Sequence, residues 1–138
     1  MHNDSRLRAR AAWLGVMATV LVWTAGAGET ASPVAVMTQE QLVEHLARHP
    51  QHLFVLDVRS PQEYAEGHVP GAVNVPHDQL ASRLAEVPKD KDVVVYCRTG
   101  RRTALATEVL AANGYKRISH LEGDMQAWTA RGRPVEKR

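Results

Sequence analysis

Two continuous apolar runs constrain the fold of this chain more than any other feature. LFVLDV covers residues 53–58 and VVVYC covers residues 93–97, and neither run alternates apolar with polar residues. A strand of this composition is buried on both faces, which is typical of a parallel sheet with helices packed on each side. The chain is therefore expected to be an α/β protein with a mainly parallel central sheet and helices on both faces.

The remaining segments alternate between strand and helix patterns, as such a sheet requires. Capping residues mark the helix starts, with Thr38 opening a capping box and Ser60 followed by a proline at the first helical position. Further strands are predicted at 34–37, 72–76 and 116–121, and helices at 39–49, 61–66, 78–87 (capped by Asp78), 103–113 and 124–131.

The first 27 residues have the pattern of an export signal. Arginines at positions 6, 8 and 10 precede a mostly apolar run over residues 11–27, which ends in the small residues Ala25, Gly26 and Ala27. A basic start, an apolar centre and a small-residue end are what a signal peptidase substrate needs. The apolar run is also slightly shorter than the roughly 20 residues of a membrane-spanning helix.

This pattern predicts three parts of the chain: a signal peptide at 1–27, a short N-terminal segment at 28–36 and one domain at 37–138. The mature protein is then expected in the periplasm with no stable membrane insertion. An uncleaved signal that anchors the domain to the membrane, facing the periplasm, is the alternative.

The net charge gives no support to nucleic-acid binding. The chain has 17 basic and 15 acidic residues, and residues 1–27 hold three of the basic ones and one of the acidic ones, which leaves 14 of each sign. The predicted mature domain is therefore neutral, and it has no basic tail or zinc-finger spacing.

Cys97 is the only cysteine, so the exported chain cannot form an internal disulfide. It ends the strand VVVYC, and ligands of parallel α/β sheets bind beyond the carboxyl ends of the strands. Amide groups of residues 98–103, the positive end of the following helix and the arginines of the loop all favour a thiolate. Gly100 permits a tight loop. The alternative is a buried, inert cysteine beside solvent-facing arginines.

Loop length bears on the chemistry of this thiolate. Cysteine-dependent phosphatases have an arginine six residues after the cysteine, where this chain has Thr103. The loop over 97–102 is one residue shorter, with Arg102 at its end. A smaller ring of amides suits one sulfur atom bound to the thiolate better than a tetrahedral oxyanion. Phosphatase or arsenate reductase activity is therefore disfavoured.

Three segments give the chain a resemblance to the rhodanese sulfurtransferases in their single-domain form. They are DVRSPQEYAEGHVPGAVNVP at 57–76, VVVYCRTGRRTALATEVLAANGY at 93–115 and LEGDMQAWTARGRPV at 121–135. The third departs from the family pattern, because Asp124 stands where a second glycine is frequent. An aspartate can cap the helix that follows, so the expected fold is unaffected.

The resemblance implies a thiosulfate sulfurtransferase-type enzyme that works through a persulfide on Cys97, without a metal or an organic cofactor. Sulfane sulfur would pass from thiosulfate or a similar anion to cyanide or a thiol. A sulfur carrier without turnover is the alternative. The active loop would consist of Arg98, Thr99, Gly100, Arg101 and Arg102 after the cysteine, with Arg102 favoured for binding the anionic donor.

Asp57 and Arg59 end the strand LFVLDV at the same edge of the sheet as Cys97. The resemblance makes Asp57 a structural anchor near the active loop. We expect a supporting, orienting role for the two residues, with a simple surface ion pair as the alternative for Arg59.

Overall fold

The computed structural model describes residues 34–138. The predicted signal peptide and most of the predicted segment 28–36 lie outside the described residues. Among residues 34–138, no helix has the length and apolar character needed to cross a membrane.

In the described part of the chain, five strands form one sheet, and every pair of neighbouring strands is parallel. Their order across the sheet is β1-β5-β4-β2-β3, which places the run around VVVYC in the central strand. The prediction of a parallel α/β sheet is confirmed. The strands are β1 (Ala35–Met37), β2 (Leu53–Asp57), β3 (Val73–Asn74), β4 (Asp92–Tyr96) and β5 (Ile118–Leu121).

Residues 34–138 form four α-helices, three of them between strands and the fourth after the last strand, and capping residues define where the first two begin. The Thr38 side chain accepts the backbone N–H of Gln41, and the Gln41 side chain accepts the N–H of Thr38. Ser60 and Glu63 form the same reciprocal pair at the second helix. The helices are α1 (Gln39–Arg48), α2 (Pro61–Glu66), α3 (Arg101–Ala112) and α4 (Asp124–Ala130).

Helices cover both faces of the sheet, because the side chains of β4 alternate between two hydrophobic clusters. Tyr96 packs in the cluster that contains Trp128 of α4. Val95 packs in the cluster that contains Leu110 of α3. All four of these side chains are at most 1 % exposed. Burial on both faces explains why β4 is apolar without alternation.

The predicted helix at 78–87 is wrong. Two 3₁₀ turns, Leu80–Ser82 and Leu84–Glu86, occupy this segment, and no side chain caps the first of them. In an α-helix the carbonyl of Leu84 would need the N–H of residue 88, which is a proline and has none. The hydroxyl of Tyr115 donates to this carbonyl instead, at 2.9 Å. The N–H of Val87 donates to the same carbonyl at 3.0 Å, so one 3₁₀ bond and one tertiary bond take the place of the α-helical one.

Candidate active site

Cys97 follows β4 directly and lies at the carboxyl end of the central strand, where the sequence placed it. Its side chain is buried, and the N–H of Gly100 donates a hydrogen bond to Sγ at 2.9 Å. Gly100 has a φ of +109°, a conformation that other residues rarely adopt. The sulfur therefore sits in a tight backbone loop with a peptide N–H directed at it.

Helix α3 begins closer to the thiol than the sequence predicted. Its first residue is Arg101 rather than Thr103, and Gly100 is its N-cap. Arg101 and Arg102 thus belong to the first turn of the helix. The amide that binds Sγ is the N-cap amide, so the positive end of the α3 dipole lies at the sulfur.

The three arginines of the loop have different environments. The side chain of Arg102 forms two hydrogen bonds with the Glu63 carboxylate of α2, at 2.6 and 2.9 Å. These bonds lower the pKa of Glu63 to about 2, despite its partial burial. Arg98 and Arg101 are exposed, as is Thr99. The candidate favoured from sequence for anion binding is therefore already paired with a carboxylate.

A cleft of about 560 Å³ opens beside the cysteine loop, between α2 and α4. Arg98 contributes to it from the loop, Glu63 and Glu66 from α2, and Lys137 from the C-terminal segment. The cleft is large enough for a small molecule and is lined by charges of both signs. Arg98 is the loop residue that lines this cleft, while the side chain of the neighbouring Cys97 is buried.

Asp57 and Arg59 form a buried cluster on the β2 side of the loop, together with Tyr96. Asp57 is fully buried and accepts hydrogen bonds from the Arg59 N–H at 2.9 Å, its guanidinium at 2.7 Å and the Tyr96 hydroxyl at 2.7 Å. Arg59 also donates to the carbonyl of Gly67 at 2.8 Å. With only 5 % of Arg59 exposed, the alternative of a surface pair is wrong.

Tyr96 remains a hydrogen-bond donor in this cluster. Burial, together with the Asp57 carboxylate, raises the pKa of its hydroxyl far above the usual range. The hydroxyl also accepts the N–H of Val69 at 3.1 Å. Cys97 therefore follows a strand residue that is tied to both β2 and the loop after α2. The cluster therefore ties the end of β4 to β2 and to the loop after α2.

A second charged cluster, on the β5 side, was not found from the sequence. Asp124 was expected to cap its own helix, but the N-cap of α4 is Gly123. Asp124 Oδ1 instead accepts the N–H of Cys97 at 2.9 Å and the Thr103 hydroxyl at 3.1 Å. His120 Nε2 lies 2.8 Å from Asp124 Oδ2. The reason is the backbone of Asp124, whose φ of +54° turns the side chain toward the cysteine loop.

The pKa values of this pair are shifted in opposite directions. The hydrogen bond with Asp124 raises the pKa of His120 above 6.5. Burial raises the pKa of Asp124, but hydrogen bonds from His120 and from the Cys97 amide outweigh it and lower the value below 3.8. One feature of the sequence could have indicated His120 as a site residue. It lies near the carboxyl end of β5, which neighbours β4, and therefore at the same edge of the sheet as Cys97.

A parallel α/β sheet with a cysteine after its central strand, and a helix N-terminus at the sulfur, defines a class of domains built for cysteine chemistry. Residues 38–131 match the rhodanese-like domain family. The chain belongs to this family.

Relatives and solved structures agree with this assignment. The chain is 38% identical over 96 residues to a sulfurtransferase of Allochromatium vinosum, covering 70% of this chain and 89% of that protein. It is 39% identical over 70 residues to the thiosulfate sulfurtransferase PspE of Escherichia coli, covering 49% and 67% respectively. The crystal structure of a rhodanese-related protein from Thermoplasma volcanium superposes with a TM-score of 0.67 at 31% identity, covering 75% of this chain and 99% of that one.

Proposed function

We propose that this protein is a sulfurtransferase that moves sulfane sulfur from thiosulfate, or a similar anion, to a thiol or cyanide through a persulfide on Cys97. The hydrogen bond from the Gly100 amide to Sγ, at the N-terminus of α3, is the observation that carries the proposal. The same amide and helix dipole stabilise a negative charge on sulfur before and after the second sulfur is bound.

The transfer has two displacement steps. The Cys97 thiolate attacks the outer sulfur of thiosulfate, a new S–S bond forms, and sulfite leaves with the electron pair of the broken bond. The acceptor then attacks the outer sulfur of the persulfide, and the Cys97 thiolate leaves. Cyanide yields thiocyanate in this step, and a thiolate yields a new persulfide. Charge and atoms balance without a metal or an external oxidant.

The central test is the fate of sulfur on Cys97. Purified protein mixed with thiosulfate should gain the mass of one sulfur atom, and Cys97→Ser should gain none while keeping its fold. Turnover with cyanide and none with an aryl phosphate is the expected pattern. A stable persulfide without turnover would indicate a carrier. Near-normal transfer by Cys97→Ser would refute the mechanism.

We assign the binding of the anionic donor to the arginines of the loop, and the ion pair of Arg102 with Glu63 makes their roles separable. Arg102→Ala should raise KM for thiosulfate about tenfold, with kcat less affected, because a charge-assisted hydrogen bond is lost. The substitution also leaves Glu63 unpaired beside the cleft, and a free carboxylate would repel the donor as well.

A double substitution distinguishes these two effects. If Arg102 contacts the donor, Arg102→Ala combined with Glu63→Gln will keep the raised KM. If repulsion by Glu63 is responsible, the double variant will return KM to the normal value. Arg98→Ala is the matched comparison, since Arg98 lies in the cleft. A rise in KM for that variant alone would move donor binding from Arg102 to Arg98.

We also propose that the protein acts in the periplasm after removal of residues 1–27, on the basis of the N-terminal pattern. Mass spectrometry of the protein purified from a periplasmic fraction should show a chain that begins near Gly28. A chain that keeps its N-terminus and remains with the membrane fraction would indicate an anchored form. Recovery from the cytoplasm alone would refute export.

A further inference from the structure

We infer that His120 and Asp124 form a positioning pair for Cys97, in which Asp124 holds the backbone of the cysteine and His120 neutralises the buried negative charge beside the sulfur. The inference rests on the proposed sulfur transfer and extends it to two residues outside the loop. Neither residue contacts the reacting sulfur, so both act through the geometry and charge around it.

The first turn of α4 forms hydrogen bonds with both the backbone N–H and the backbone carbonyl of Cys97. Asp124 Oδ1 accepts the N–H of Cys97, and the N–H of Met125 donates to its carbonyl at 3.0 Å. The next amide, that of Gln126, donates to the carbonyl of Arg98 at 3.1 Å. Three successive residues of α4 thus fix the start of the loop, and only one of them uses a side chain to do so.

The pair also packs against the residue that binds the sulfur. A Cβ atom added to Gly100 would lie 3.2 Å from Asp124 Oδ2 and 3.4 Å from His120 Cε1. The Gly100 amide donates to Sγ. A change in the pair can therefore affect Cys97 in two ways, through the hydrogen bond between the Cys97 N–H and Asp124 and through the packing against Gly100.

Charge explains why the carboxylate needs a partner. Asp124 is 2 % exposed, and an uncompensated anion there would disfavour a thiolate and repel an anionic donor. Protonated His120 makes the pair neutral. When His120 loses its proton the pair carries a net charge of −1, and sulfur uptake should slow.

The groups around His120 leave Asp124 as the main electrostatic influence on it. From the loop and α3 the pair meets the Cys97 amide and the Thr103 hydroxyl, which are uncharged, and the Cys97 thiol beyond Gly100. On the β1 side, Val36 is the register neighbour of His120. Glu122, two residues along the chain, lies 3.8 Å from the cation of Arg131.

Two substitutions test the inference, because they should act in opposite directions. His120→Gln keeps a hydrogen-bond donor but removes the cation that neutralises Asp124. Asp124→Asn keeps the acceptor for the Cys97 amide, tolerates the left-handed backbone and removes the charge. His45→Gln, an exposed histidine of α1, is the matched control.

The measurement is the rate of sulfur uptake from thiosulfate between pH 6 and pH 9. In the wild-type protein, the rate of sulfur uptake should fall about five- to tenfold as His120 deprotonates, which is the effect of one nearby charge. His120→Gln should be slow throughout, and Asp124→Asn should stay fast into the alkaline range. Equal slowing of both variants at all pH values, with the pH profile unchanged, would overturn the inference and leave the pair a merely structural role.

Alkylation of Cys97 by iodoacetamide separates this inference from the proposed function. The reagent is neutral and needs no sulfur donor, so it reports the reactivity of the thiolate alone. If the protein takes up no sulfur but alkylation shows the predicted opposite effects, the proposed function fails and the positioning pair stands. If alkylation is indifferent to both substitutions while sulfur uptake proceeds normally, the pair fails and the function stands.

Discussion

The two charged clusters on either side of the cysteine loop each pair a buried carboxylate with a basic side chain, but the basic side chains differ. On the β2 side, the buried carboxylate of Asp57 is neutralised by the guanidinium of Arg59. On the β5 side, the buried carboxylate of Asp124 is hydrogen-bonded to the imidazole of His120, which neutralises it when protonated. A guanidinium is charged at every pH at which the protein is folded, whereas an imidazole loses its charge near neutrality.

This difference assigns different tasks to the two sides of the site. The β2 cluster holds the end of the central strand with a charge balance that does not change. The β5 cluster holds the cysteine itself with a balance that depends on pH. One cluster should therefore dominate stability, and the other should influence reactivity.

The largest effect is expected when the permanent cluster is broken. Asp57→Ala leaves the buried guanidinium of Arg59 without a carboxylate partner and should lower the free energy of unfolding by about 3–5 kcal/mol. The exposed pair of Asp92 with Arg117 is the control, and Asp92→Ala should cost about 0–1 kcal/mol. Urea unfolding at pH 7 measures both. Equal losses for the two variants would mean that burial does not set the strength of the β2 cluster.

A smaller effect is expected at the turn that presents Asp124. Gly123 has a φ of +71°, and an added Cβ would lie 2.3 Å from the Cβ of Ala127. Gly123→Ala should cost about 2–4 kcal/mol from the backbone and the overlap together, whereas Gly71→Ala, with φ +80° and open space, should cost about 1–2 kcal/mol.

The two glycine variants also differ in their expected effect on the cysteine. Displacement of α4 in Gly123→Ala should slow alkylation of Cys97, and Gly71→Ala should not alter it. Equal reactivity of the two variants would argue that the β5 cluster tolerates movement of the helix that carries it.

The smallest effect is the pH dependence of stability. Because the pKa of His120 is raised in the folded state, its stabilising contribution is complete below 6.5 and is lost as pH rises through the folded value. The free energy of unfolding should therefore decline over this range, and His120→Gln should flatten the decline. A decline of the same size in that variant would assign the titration to another group.

The sequence predicted the sheet and the cysteine loop because both follow from local patterns. LFVLDV and VVVYC are apolar without alternation, and only a strand covered on both faces explains that. Asp57 and Arg59 were expected at the correct edge because strand ends of a parallel sheet meet there. The burial of Arg59 was not predicted, since no pattern shows what packs above the ends of strands.

The missed features depend on contacts between distant residues. Residues 78–87 have helical spacing, but Pro88 and the hydroxyl of Tyr115 together favour 3₁₀ turns. The role of Asp124 depends on one left-handed backbone angle, which an aspartate adopts less readily than a glycine. His120 was read only as part of a strand, because the orientation of its ring is set by that same aspartate.

The hydrogen bonds from the first turn of α4 to the backbone of Cys97 have a consequence for how the protein is synthesised and folded. The loop is completed by amides and a carboxylate that lie 27 or more residues downstream. A nascent or truncated chain that ends before residue 124 would carry the thiol without the clamp that shapes its surroundings. The proposed sulfur transfer is therefore expected only from a chain whose last helix, α4, has docked against the loop.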